Sequence, residues 1–313
     1  MINTGVVIKS TGSWYLVKSG NKITNCKIKG KFRTKGINST NPVAVGDVVD
    51  FLILKEEETG LINKLHDRKN YIIRKSINLS RKSHIIAANI DIAFLIITLK
   101  KPRTNTVFID RFLVSSEAYN IPVCLVFNKI DIYNQSDIEE MENLISLYQK
   151  IGYSSIKISA KEKIGIDNFV DLLKNKVSVI SGNSGVGKST LINTINPDFK
   201  IRTDEISDYH QKGKHTTTFS EMFELQENTY IIDTPGIKGF GLVDLEKENL
   251  STYFPEMLKL QGKCKFYNCT HTHEPNCAII KAVENNEVDS SRYKSYLSLL
   301  NDDSGKYRED IYK

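Results

Sequence analysis

The stretch that most constrains this 313-residue chain is Ser181–Leu191, SGNSGVGKSTL. It fits the pattern G-x-x-x-x-G-K-[ST] with Gly182, Gly187, Lys188 and Ser189. The flanks make the match meaningful: VSVI before it reads as a strand and STLINTI after it as the start of a helix, the context a phosphate loop requires. Along Gly182, Asn183, Ser184, Gly185, Val186 and Gly187 the glycines allow successive backbone N–H groups to turn inward around a β-phosphate. Thr190 lies just beyond them, in the first turn of a helix whose N-terminus favours negative charge. Lys188 would bridge the β- and γ-phosphates, a binding and a catalytic role at once, and Ser189 would hold Mg²⁺. Such a loop usually opens its domain. Here it lies past the middle of the chain, so the rest of the site has to be sought on both sides of it.

Downstream, TYIIDTPG ends a strand with Asp233 placed to hold a Mg²⁺-bound water and the Gly236 N–H placed to touch a γ-phosphate. Between the two motifs lies GKHTTT, residues 213–218. One of its threonines, Thr217 first and Thr216 next, would complete the metal shell in the triphosphate state. Upstream, a strand ends in N-K-I-D: Asn128, Lys129, Asp131. A carboxylate there accepts from both N1–H and the exocyclic amine of guanine, whereas adenine has no donors in that arrangement and would leave it unpaired. Lys129 can lie over the ring, and Asn128 can tie this loop to the phosphate loop. A further strand ends in Ser159, Ala160, Lys161, where the Ala160 N–H can meet guanine O6.

Most GTPases run phosphate loop, switch, DxxG, NKxD, SAK. This chain runs NKxD, SAK, phosphate loop, TTT, DTPG. The same sheet closes if its termini are cut elsewhere, because site loops lie at strand ends. The arrangement is a circular permutation, and it sends the segment after DTPG straight into the C-terminal region, tying switch movement to the last domain.

Three domains are expected from the patterning: 1–66, 67–245 and 246–313. The first reads as short alternating strands with Gly/Asn turns, an all-β barrel of the OB type that binds RNA or serves as plain scaffold. The second is a doubly wound α/β sheet, with SDIEEMENLISLYQKIG as one of its helices. Ser136 and Glu139 form that helix's expected capping box, Gly152 its stop, and Ile138, Met141, Ile145, Tyr148 and Ile151 its core stripe. The third is mainly helical and carries C-x4-C-x-H-x5-C. Three thiolates and one imidazole from Cys264, Cys269, His271 and Cys277 suit one structural Zn²⁺, with His273 as a rival fourth ligand. Bunched cysteines imply metal in a reducing compartment. The start of the chain lacks the layout of a secretion signal and no apolar run is long enough to span a membrane, so a cytoplasmic protein is expected. Net charge is +6, unevenly spread. Lys18–Lys35 holds seven basic residues and no acid, and Arg68, Lys69, Arg74, Lys75, Arg81 and Lys82 form a second acid-free run. Either could meet nucleic-acid phosphates or be a solvated face.

The order NKID–SAK–GNSGVGKS–GKHTTT–DTPG, preceded by a barrel and followed by C-x4-C-x-H-x5-C, resembles the RsgA (YjeQ/YloQ) family, over essentially the whole chain. The resemblance implies an OB barrel, a circularly permuted P-loop GTPase domain and a zinc domain. It also implies a monomeric GTPase that takes GTP/GDP with Mg²⁺, binds the small ribosomal subunit and its rRNA during late maturation, and is stimulated by that subunit. An RNA-binding tether in which GTP only locks a shape is the other reading. Ras-like enzymes orient the attacking water with a Gln after DxxG. Ile237 stands there instead, so His215 in GKHTTT is the candidate for that role, as the resemblance also suggests, or else shapes the loop.

Overall fold

The computed structural model describes residues 2–28, 42–54, 59–75, 83–197, 220–233 and 246–301. Five strands, β1 (Ile2–Ser10), β2 (Tyr15–Ser19), β3 (Lys22–Ile28), β4 (Val48–Ile53) and β5 (Gly60–Leu65), pair in the closed order 1-2-3-5-4-1. All pairs are antiparallel except β3–β5. That closure is the OB barrel. Alternation supplies its inside: Val7, Tyr15, Val17, Cys26, Val49, Phe51 and Ile62 are buried together. Gly60 is needed where β5 crosses β3, since a Cβ there would come within 2.3 Å of Cys26 Sγ.

A hairpin of β6 (Tyr71–Lys75) and β7 (Ser83–Ala88) leads into the central sheet. Its strands are β8 (Ile92–Ile97), β9 (Val123–Phe127), β10 (Ser154–Lys157), β11 (Val177–Ser181), β12 (Glu221–Gln226) and β13 (Thr229–Asp233), ordered β10-β9-β8-β11-β13-β12. All run parallel except β12. β8 and β9 are buried at every position, because helices cover both faces. Successive β8 side chains divide between them. Ala93, Leu95 and Ile97 pack with helices α1 (Thr106–Ala118) and α2 (Gln135–Ile151), while Phe94 and Ile96 pack with α3 (Ile166–Leu173) and α4 (Lys188–Ile195).

Helix α2 corrects the sequence reading at its start. The capping box is Asn134 with Asp137, reciprocal bonds of 2.9 and 2.8 Å, so Ser136 and Glu139 lie inside the helix. Met141, Ile145 and Tyr148 are buried as expected and Gly152 ends the helix at φ 124°, but Ile138, one turn from the cap, is 37% exposed.

The C-terminal unit consists of a 3-10 segment, Lys247–Tyr253, a helical turn, Pro255–Leu258, and helices α5 (Ala278–Glu284) and α6 (Ser290–Leu300). Its core of Leu250, Phe254, Met257, Ile279, Tyr296 and Leu299 also takes in Val114 of α1. Beside it Arg292, fully buried, meets the equally buried Asp110 of α1 at 2.6 Å and Glu256 at 2.7 Å. The barrel joins the sheet along β1–β12, where Lys9 pairs with Glu221 at 2.8 Å and Lys18 with Glu224. No helix among the described residues is long and apolar enough to cross a membrane.

Candidate guanine-nucleotide and metal sites

The phosphate loop follows β11 and runs into α4 with Gly187 at its N-cap. Gly182, Gly185 and Gly187 have φ of 146°, 79° and 98°, the region that only glycine enters without strain. At Gly187 the contact is decisive as well: a Cβ would lie 2.5 Å from the Asn128 amide nitrogen. Lys188 Nζ donates to the carbonyls of Gly182 and Asn183, at 2.6 and 2.7 Å, so the ammonium sits inside the turn of the loop. Val186 and Ser189 are buried, Ser184 and Gly185 are exposed, and Asn183 and Thr190 are half-buried.

The base-reading loops meet this loop directly. Asn128, buried at the end of β9, donates from Nδ2 to the Val186 carbonyl at 2.8 Å and accepts from the Ala160 N–H at 3.0 Å. One side chain therefore joins the NKxD, SAK and phosphate loops. Because the Ala160 N–H already serves Asn128, a base oxygen would have to share or replace that bond. Lys129 Nζ donates to the Gly185 carbonyl at 2.6 Å and to that of Lys101, and burial lowers its pKa. Asp131 is exposed, with Oδ1 accepting from the Ser159 hydroxyl at 2.5 Å. Lys161 points to solvent and meets Glu162 at 3.3 Å. The Thr194 hydroxyl of α4 reaches the Ala160 carbonyl at 3.0 Å, a link between α4 and the SAK loop that no motif announces. Asp233 ends β13. His215, Thr216, Thr217, Gly236 and Ile237 lie outside the described residues.

In the C-terminal unit the ligand atoms of Cys264, Cys269, His271 and Cys277 all lie within 4.8 Å of one another. Three separations test the fit: Cys264 Sγ–His271 Nδ1 3.6 Å, His271 Nδ1–Cys277 Sγ 3.4 Å and Cys264 Sγ–Cys277 Sγ 3.9 Å. A tetrahedral zinc with ordinary bond lengths has S···N edges of about 3.5 Å and S···S edges of about 3.8 Å. The residues fit, and the cluster could hold zinc. The rival His273 faces away, its Nδ1 on the Thr272 hydroxyl. Burial lowers the His271 pKa, favouring the neutral, ligating imidazole. Around the ligands, the amides of Ala278 and Ile280 approach Cys264 Sγ and Cys277 Sγ at 3.4 and 3.5 Å. Glu274, unremarked in the sequence, accepts from the Thr270 amide and hydroxyl and the Thr272 amide. Burial works to raise its pKa, and these bonds outweigh it, holding the carboxyl well below the usual range. Tyr293 and Tyr296 anchor the same turn through the carbonyls of His271 and Thr270, both at 2.7 Å.

The acid-free basic runs are partly neutralised in three dimensions. Arg68 is buried against Asp47 at 2.6 Å, Lys69 pairs with Asp91, and Lys18 with Glu224. Lys27 lies 4.3 Å from the Trp14 ring centre. Lys29, Lys31, Arg33, Lys35, Arg81 and Lys82 lie outside the described residues. His66 meets Asp50 Oδ1 at 2.9 Å.

A phosphate loop bonded through Asn128 to NKxD and SAK loops, on a sheet whose chain order starts from the base-binding half, defines a circularly permuted GTPase. Comparison with known proteins narrows the class. The family model described as RsgA GTPase matches residues 65–243, and that of the RsgA N-terminal domain residues 4–62. The small ribosomal subunit biogenesis GTPase RsgA 2 of Bacteroides thetaiotaomicron is 57% identical, over 97% of this chain and 98% of its own. The RsgA of Flavobacterium psychrophilum is 54% identical over 99% and 96%. Among solved structures, YjeQ from Thermotoga maritima superposes with a TM-score of 0.79 at 33% identity, covering 96% of this chain and 98% of that one. YloQ, a circularly permuted GTPase, gives 0.74 at 27% identity, covering 98% and 97%. The chain belongs to the RsgA family of GTPases.

Proposed function

We propose that this GTPase binds the small ribosomal subunit and its rRNA during late maturation, as a cytoplasmic monomer, and that the subunit accelerates its hydrolysis of GTP to GDP and phosphate. The observation that carries the nucleotide half of this reading is the Asn128–Val186 hydrogen bond, which couples a base-reading loop to a phosphate loop at one sheet edge. The subunit half rests on full-length relatives named as small ribosomal subunit biogenesis GTPases and on an OB barrel, a fold suited to oligonucleotides.

Each residue then has a task. Asp131 accepts from guanine N1–H and the exocyclic amine, Ala160 and Lys161 lie beside the base, and Lys129 covers its ring. The amides from Gly182 to Gly187 cradle the β-phosphate, and Lys188 leaves the Gly182 and Asn183 carbonyls to meet the β- and γ-oxygens. Ser189, Thr217 or Thr216 and, through a water, Asp233 would hold Mg²⁺, which when bound offsets the charge that develops on the phosphates. Gly236 offers its N–H to the γ-phosphate and His215 orients the attacking water in place of the absent glutamine. One structural Zn²⁺ in the Cys264–Cys269–His271–Cys277 set would fix the knuckle loop.

Phosphate release measured with and without purified small subunits tests the reading. A many-fold rise is expected. Tight, GTP-dependent subunit binding without any rise in turnover would instead identify a tether for which GTP is only a lock.

A further inference from the structure

Tyr133 belongs to none of the motifs, yet it holds the base-reading loop. It stands at the exit of the 3-10 turn Ile130–Ile132, two residues past Asp131, and is buried. Its hydroxyl accepts from the Leu99 N–H at 2.8 Å and donates to the Asn128 carbonyl at 2.8 Å. A phenol has one proton to give and lone pairs to accept with, so a single oxygen bridges the chain ends beyond the neighbouring strands β8 and β9. The peptide it grips is a particular one. Lys129, the next residue, sits at φ 63°, left-handed backbone that a non-glycine residue keeps only where its surroundings enforce it. The turn closes with Ile132 N–H on the Lys129 carbonyl at 3.1 Å and Tyr133 N–H on that of Ile130 at 3.3 Å. Asn128, at the start of the held peptide, carries the bond to Val186, and Asp131 lies within the turn.

We infer that Tyr133 is a positioning residue for guanine-nucleotide binding: its hydroxyl locks the Asn128–Lys129 peptide so that the Asn128 amide reaches the phosphate loop and the Asp131 carboxylate faces the base. The inference rests on the guanine reading of Asp131 given above. Tyr133 bonds to the base loop and not to Lys188 or Ser189, so its loss loosens the nucleotide and leaves the chemical step alone.

Tyr133→Phe keeps the ring and strips both buried main-chain groups of the oxygen they share. GDP release, followed with a fluorescent analogue, should quicken by about tenfold, the factor that one buried hydrogen bond of the two lost is worth. KM for GTP should rise while subunit-stimulated kcat at saturating GTP stays within about twofold, as expected when binding and not the chemistry is touched. Tyr148→Phe is the control: that hydroxyl donates to Asp110 Oδ1 at 2.8 Å in the same domain, away from the pocket. It should lower the melting temperature without quickening release. A second measurement uses the unaltered protein. If the Leu99 bond positions the loop for nucleotide, nucleotide must stabilise that bond in return, so GDP should slow hydrogen exchange at the Leu99 amide. Release from Tyr133→Phe within about threefold of the unaltered protein, well under the loss expected of one such bond, would overturn the inference. So would equal acceleration in Tyr148→Phe, or Leu99 exchange indifferent to GDP. Asp131→Asn, run alongside, separates the two ideas. If it weakens GDP and Tyr133→Phe does not, only the positioning role falls. If it binds GDP undiminished, the guanine assignment itself has failed.

Discussion

Asp131→Asn tests the base assignment with little disturbance to the fold. Asp131 is exposed, and one acceptor site of Oδ1 is taken by the Ser159 hydroxyl at 2.5 Å. An ionised carboxylate has about four acceptor sites, so the rest remain for the two donors of guanine, N1–H and the exocyclic amine. Asparagine keeps an oxygen for Ser159 and for one of those donors, but presents its own N–H groups to the other. A charge-assisted hydrogen bond is lost and donor faces donor, which costs about 2–4 kcal/mol, or about 30- to 700-fold in Kd. Xanthine offers a carbonyl where guanine has its amine, which matches the new amide. The variant should therefore bind xanthosine diphosphate better than GDP, reversing the order of the unaltered protein. Titration calorimetry with both nucleotides reads the effect and separates it from damage, since a collapsed loop loses both. A GDP Kd within about threefold of the unaltered protein, well short of the expected loss, would refute the assignment of Asp131 to the base.

The remaining predictions concern the metal, the C-terminal docking and the water. Purified protein should carry zinc in a one-to-one ratio by plasma emission spectrometry, and Cys277→Ser should lose it and loosen residues around the knuckle while GDP binding persists; zinc-free protein with an intact C-terminal unit would contradict the site. Arg292→Met leaves the Asp110 carboxylate buried without its cation and should destabilise by about 3–5 kcal/mol in denaturant unfolding, whereas Arg292→Met combined with Asp110→Leu should recover much of this. A single-variant loss under about 1 kcal/mol, the scale of a surface pair, would show the pair to be inconsequential. His215→Ala should keep nucleotide and subunit binding and lose on the order of 100-fold in stimulated turnover; turnover within about twofold, well short of the loss a positioned side chain would give, would leave the water to some other group.

The parts of this molecule that could be read along the chain are those set by local pattern. NKID, the phosphate loop and Asp233 each follow or end a short apolar run, SAK follows the weaker stretch SSIK, and each of those stretches is a parallel strand of the one sheet. The barrel follows from alternation, and the metal knuckle from cysteine spacing. Features that depend on distant segments were not legible. An acid-free run looks like a free basic face, but topology brings Asp47, Asp91 and Glu224 to Arg68, Lys69 and Lys18. Spacing allows either His271 or His273 as a ligand, and only the loop held by Glu274, Tyr293 and Tyr296 turns His271 inward. The α2 cap shifted by two residues because Asn134 offers as good a cap as Ser136 and Asp137 closes the box. Strand β12 went unforeseen because, of Glu221–Gln226, only Met222 is buried, so the alternation is faint.

The permutation and the docking of the C-terminal unit bear on each other. An ordinary GTPase chain would begin at β11 and end after β10. Here α3 joins β10 to β11, and the sheet is opened between β13 and β8, so both flanking units attach at that cut. The barrel enters through the β6–β7 hairpin and adds a side contact, β1 on β12, with Lys9–Glu221 and Lys18–Glu224 across it. The C-terminal unit leaves after β13 and returns to α1, the helix that follows β8, where Arg292 is buried on Asp110 and Val114 enters its core. Residues 234–245, which include the Gly236 of DTPG, thus join a strand in the middle of the sheet to a unit anchored on that sheet's own helix layer. A tie between switch and last domain can be read from motif order alone, but a bare linker would transmit little. What the described residues add is the far end of that connection: beyond Glu246 the chain is no loose tail, because the buried Arg292–Asp110 contact and Val114 hold the C-terminal unit on α1.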